Sequence, residues 1–124
     1  MGESEGVIMI APEVLMTIAR QAALNVPGVA SMSPGIGGSF NRLLRRGKEN
    51  EGVKVEVEAG VVSVDLFIVA QPRVNMLRLG QEIQKEVARA IQDLVAMPVR
   101  EVNVHIQDIV LQEGGEEKLG EGSS

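Results

Sequence analysis

Between Gly52 and Gln71 the chain reads GVKVEVEAGVVSVDLFIVAQ, and this stretch narrows the choice of fold more than any other. Val53, Val55 and Val57 alternate with Lys54, Glu56 and Glu58, so one face is apolar and the other charged. After Ala59-Gly60 the apolar phase continues through Val62, Val64, Leu66 and Ile68. Two strands joined by a tight turn at Ala59-Gly60 satisfy this pattern. If Glu58 faces Val61, then Val57 faces Val62, Val55 faces Val64 and Val53 faces Leu66. The same register sets Lys54 opposite Asp65, an attractive cross-strand pair. A slip of one residue would turn every apolar side chain to solvent, so the hairpin and its buried face are specified together.

Around the hairpin, the other segments follow from local signals. Gly6–Ile10 (GVIMI) is a short apolar run rich in β-branched residues, read as a strand with neighbours on both sides. Pro12 suits a first helical position and Glu13 a first turn, which predicts a helix to about Asn25, closed by Pro27-Gly28. Val14, Ile18 and Ala22, with Leu15, Ala19 and Ala23 beside them, make its apolar face. Val29–Met32 adds a short strand. Pro72 ends the second hairpin strand, and Asn75 is placed to cap a helix from about Val74 to Ala96. Its apolar stripe is Met76, Gly80, Ile83, Val87, Ala90 or Ile91, and Leu94, widened by Leu77, Leu79 and Ala88. Pro98 stops that helix, and Val99–Ile109 alternates again, with Val102, Val104 and Ile106 inward.

Assembled, these pieces predict an α+β two-layer sandwich. Two helices pack on one face of a mostly antiparallel sheet in β-α-β-β-α-β order, a ferredoxin-like split β-α-β arrangement. Residues 6–111 form a single domain, preceded by a disordered N-terminus (1–5) and followed by a disordered acidic tail (112–124). A flexible basic loop at 33–51 interrupts the domain, longer than most connections in a compact fold.

Composition excludes several kinds of function. The chain has two Phe, no Tyr and no Trp, so its core is aliphatic, and it lacks stacking platforms for single-stranded nucleic acid. There is no cysteine, hence no disulfide, no thiolate nucleophile and no cysteine metal site. Four glutamates against one lysine give the tail a net charge of −3, which leaves −2 of the total −5 to the body. An acidic body argues against general nucleic-acid affinity. No apolar run approaches the ~20 residues that cross a bilayer, and the acidic start MGESEG lacks a signal peptide's basic and apolar regions.

Candidate sites are few. His105, the only histidine, lies on the outward face of the last strand and reads as a surface residue rather than a ligand or base. Asp65 reads as the partner of Lys54. No metal set, cofactor motif or nucleophile arrangement is visible, so no enzyme activity, cofactor or metal is expected. The glycines Gly35, Gly37 and Gly38 lead into Phe40, Arg42, Arg45, Arg46 and Lys48. A glycine-rich loop before a helix can cradle phosphate, but no Gly-Lys-Ser/Thr follows, and the dinucleotide fingerprint is missing. The cluster reads as a linker or a docking loop, with nucleic-acid or anionic-ligand binding as the alternative. Val61, Phe67 and Val69 share the outer sheet face with Ser63 and Asp65. Either they form a contact face or they lie under the Phe40 segment.

Three stretches carry a family resemblance: a helix ending in Pro27-Gly28-Val29, VSVDLFIV at Val62–Val69, and REVNVHIQDI at Arg100–Ile109. Over roughly Gly6 to Ile109 the chain resembles the alkaline shock protein family, the YloU-like envelope stress response proteins of bacteria. The resemblance implies a small, non-enzymatic, cytoplasmic protein connected with cell-envelope homeostasis. It implies a location near the inner membrane through a membrane-anchored protein partner, without transmembrane insertion, and self-association in some members. The family usually has an aromatic-glycine pair soon after the VDL strand. Gln71-Pro72 stands here instead, so no role of that pair carries over.

Overall fold

The computed structural model describes residues 5–34 and 52–111. Along the chain come α1 (Pro12–Leu24), β1 (Val29–Met32), β2 (Val53–Glu58), β3 (Val61–Ala70), α2 (Met76–Val95) and β4 (Val99–Ile109). The two-layer α+β sandwich forms as expected. β3 is the axis of the sheet: it pairs antiparallel with β1 and β2, and parallel with β4. Burial along it alternates without a break. Val62, Val64, Leu66, Ile68 and Ala70 are fully buried against Leu15, Ala19 and Ala23 of α1 and Leu79, Ile83, Val87 and Ile91 of α2. Each such Val, Leu or Ile contributes on the order of 1.5–3 kcal/mol by leaving water.

The hairpin register is the one the alternation demands, from Val53 opposite Leu66 to Glu58 opposite Val61, including Lys54 opposite Asp65. Its turn places both Ala59 (φ 54°) and Gly60 (φ 79°) in the left-handed region. That is the geometry whose twist matches a two-residue hairpin.

Two expectations need correction, and the sheet adds an arrangement that was not predicted. Gly6–Ile10 is not a strand; Val7, Ile8 and Met9 are 83%, 91% and 83% exposed. A split β-α-β arrangement would insert this strand between β3 and β4, but those two pair directly from Val62–Val99 to Ala70–Ile109. The slot is closed. Next, the buried row of α2 is Leu79, Ile83, Val87 and Ile91, a strict i, i+4 ridge. Leu77 and Leu94, taken as part of the stripe, are exposed, as is Val14 on α1. Finally, β1 and β2 are not separate strands in the sheet plane. Both run antiparallel to β3 on its same edge, β1 along Ile68–Ala70 and β2 along Val61–Leu66, so they form one interrupted lane.

Helix ends follow their sequence signals. Pro12 opens α1 at its first turn. The Asn75 side chain accepts a hydrogen bond from the Arg78 N–H at 2.9 Å and caps α2. Ala96 closes α2 in the left-handed region at φ 58°. On the wet side of α2, Glu86 and Arg89 form the expected (i, i+3) ion pair.

Candidate contact surface

β3 has a second face. Because its even-numbered residues are buried, Val61, Ser63, Asp65, Phe67 and Val69 point the other way, and all five are half-buried. Lys54, Glu56 and Glu58 of β2 flank this strip on one side and Glu101, Asn103 and His105 of β4 on the other. Both helices pack on the opposite face, and among the described residues no further layer lies over this strip.

The centre of the strip is ordered by His105. It sits beside Phe67 in the parallel ladder, and the two rings stack at 4.4 Å with an interplanar angle of 11°. Its Nε2 lies 3.1 Å from Asp65 Oδ1. Asp65 therefore pairs with His105 on β4, although the hairpin register sets Lys54 opposite it on β2. One residue position further along, the Ser33 hydroxyl donates to Gln107 Oε1 at 3.2 Å, linking the β1 and β4 lanes across β3.

This arrangement presents an ordered surface strip. Ser63 shares the face, but no hydrogen bond joins it to His105, so no nucleophile relay is assembled. Among the described residues no three His, Cys, Asp or Glu side chains converge to hold a metal ion. Of the contact residues expected from sequence, Val61, Phe67 and Val69 are brought together on one strand face. Gly35, Gly37, Gly38, Phe40, Arg42, Arg45, Arg46 and Lys48 lie outside the described residues, as do 1–4 and the tail at 112–124. The structure does locate where that basic segment enters and leaves. The Ser33 N–H donates to the Phe67 carbonyl, and the Phe67 N–H donates to the Gly52 carbonyl, both at 2.8 Å. The two described ends of the segment thus meet beside Phe67. Sequence periodicity missed His105 as Phe67's neighbour, because the order of strands is not written in any one strand.

A second depression, of about 340 Å³, runs between the helices and is lined by Thr17, Ile18 and Gln21 of α1 and Glu86, Ala90 and Leu94 of α2. Among the described residues no helix is long and apolar enough to cross a membrane.

A family model for the alkaline shock protein 23 family, described as having a cell envelope-related function, matches residues 1–111. The chain belongs to the alkaline shock protein family. Relatives within reach are themselves uncharacterized. Spy1535 of Streptococcus pyogenes is 32% identical over 109 residues, covering 86% of this chain and 81% of that protein. YqhY of Bacillus subtilis is 27% identical over 104 residues, covering 84% and 77%. Among solved structures, MamM-CTD 215-293 superposes with a TM-score of 0.50 at 15% identity, covering 79% of this chain and 99% of that one. At that identity the likeness concerns the fold alone, an α+β sandwich related to the ferredoxin-like kind in which β3 and β4 pair directly. This alkaline shock protein family member thus belongs to a family described as cell envelope-related.

Proposed function

We propose that this chain is a non-enzymatic, cytoplasmic binding protein of cell-envelope homeostasis and stress response. It acts through protein-protein contacts, held near the inner membrane by a membrane-anchored partner. The observation that carries the reading is the outer face of β3. Val61, Phe67 and Val69 form an apolar strip on a sheet side that no described layer covers. Acidic and polar side chains rim it, which is the usual anatomy of a transient contact surface. The envelope-related description of the family supplies the setting.

The test is Phe67→Asp in the full chain, followed by co-sedimentation with the membrane fraction and capture of membrane proteins by the purified protein. Fold is checked by circular dichroism. Membrane co-sedimentation that falls at least tenfold, with the fold intact, supports the reading. Unaltered association removes the outer face from it. Protein that binds bare anionic vesicles, with affinity falling steeply as salt rises, would move the contact to the basic segment between Gly35 and Lys48.

A further inference from the structure

Two features of the molecule are each incomplete. The first is Gly6–Ile10, five residues with the composition of a buried strand and no strand partner among the described residues. The second is the outer edge of β4. Odd-numbered residues of β3 direct their backbone groups to the β1/β2 lane, as Phe67 does toward Ser33 and Gly52. Even-numbered residues direct theirs to β4, as Val62 does toward Pro98 and Ala70 toward Val110. In a parallel ladder this turns the backbone groups of Glu101, Asn103 and His105 toward β3, and those of Val102, Val104 and Ile106 to the open side.

That edge is capped at one end and bent at the other. The Gln84 side chain of α2 donates to the Val102 carbonyl at 3.1 Å. A register shift falls between Ile68 and Val69, opposite the passage from Ile106 to Asp108. What remains is a flat stretch of about five residues, Asn103–Gln107, without Lys or Pro to block pairing. On the inner side of this stretch Val104 and Ile106 are only half-buried, where a further strand would finish covering them.

We propose that Gly6–Ile10 of one copy pairs with the β4 edge at Val104 and Ile106 of a second copy, reciprocally, in a two-fold dimer. A second copy is needed because the segment cannot reach its own β4. α1 packs over the β1/β2 lane and α2 over β4. A strand outside β4 lies three strand spacings from that lane, roughly 14 Å, and a layer below. Only Ala11 separates Ile10 from α1, and one residue spans about 3.5 Å. The same five residues that found no slot between β3 and β4 match the open stretch in length and in apolar character. Reciprocal exchange closes the assembly and removes both free edges. This surface is distinct from the outer face at Phe67, and its test stands apart from the fate of the reading above.

The experiment uses the full chain. Light scattering coupled to size exclusion should give twice the chain mass for the unaltered protein. Met9→Pro should weaken the dimer at least tenfold while circular dichroism stays unchanged, since Met9 is 83% exposed and lies outside every helix and strand. The chain has no cysteine, so introduced thiols report cleanly. Met9→Cys mixed with Asn103→Cys and a short bis-maleimide should give a linked dimer. A monomeric unaltered protein at 100 μM-scale concentration, a dimer untouched by Met9→Pro, or linkage only within a chain carrying both cysteines would each overturn the proposal.

Discussion

Gly52→Ala tests whether the interrupted β1/β2 lane is held together where the structure says it is. Gly52 is buried with φ +79°, and a Cβ built on it would meet the Ser33 carbonyl oxygen at 2.7 Å, Met32 Cβ at 2.9 Å and the Phe67 carbonyl oxygen at 2.9 Å. Two of the three are backbone atoms. Ser33 and Phe67 are joined by the hydrogen bond that ends β1, and Phe67 is bonded to Gly52 itself, so none of them can retreat without loss of that pairing. The left-handed backbone costs alanine about 1–2 kcal/mol. Forcing a methyl group into filled space adds about 1–3 kcal/mol. Gly60 supplies the control: it has the same φ of +79° and nothing within 4 Å of its Cβ position. Gly60→Ala should therefore lose only the backbone part, about 1–2 kcal/mol. Gly52→Ala should lose about 2–5 kcal/mol, a large share of the roughly 5–15 kcal/mol that holds a domain together. Urea unfolding of both variants measures the difference directly. Equal losses would mean that the chain ends at Ser33 and Gly52 do not meet, and the interrupted lane would be refuted.

Other substitutions follow from the same geometry. Ala59→Gly and Ala96→Gly relieve left-handed alanines and should each stabilise the domain by about 0.5–1 kcal/mol in thermal or urea unfolding. Asn75→Ala removes the cap on Arg78 N–H and should cost about 1 kcal/mol, with no change in the cooperativity of unfolding. Ile91→Ala, at a fully buried position, should cost about 2–5 kcal/mol, whereas Leu94→Ala, 68% exposed one turn on, should stay within about 0.5 kcal/mol. Similar losses at both positions would show that the i, i+4 ridge is misplaced.

What could be read from the sequence was whatever a single strand or helix determines by itself. The hairpin register came through residue by residue because Val53–Ile68 has only one phase that buries its valines. The caps at Pro12 and Asn75 are local for the same reason. Gly6–Ile10 was misplaced because its composition states an appetite for burial, while availability of a slot is decided by β3 and β4, some fifty residues and more away. The pairing of Asp65 failed similarly. Lys54 is its neighbour by register within the hairpin, but His105 reaches it from a parallel strand whose side of the sheet no periodicity reveals. The apolar trio Val61, Phe67 and Val69 was legible as a face, and the ring stacked on Phe67 was not.

The shared exit at Phe67 has a consequence for how this domain tolerates change. Chain leaving at Ser33 and returning at Gly52 does so at one place on β3, where both ends are hydrogen-bonded to the Phe67 backbone. Doubling the length of such an excursion costs only about 0.6 kcal/mol of closure entropy. The domain is thus built like a socket: a foreign peptide grafted between Pro34 and Gly52, or new termini opened there, should leave the contacts among the described core residues in place. Selection for stability and selection for whatever the segment meets act on separate stretches of the same chain.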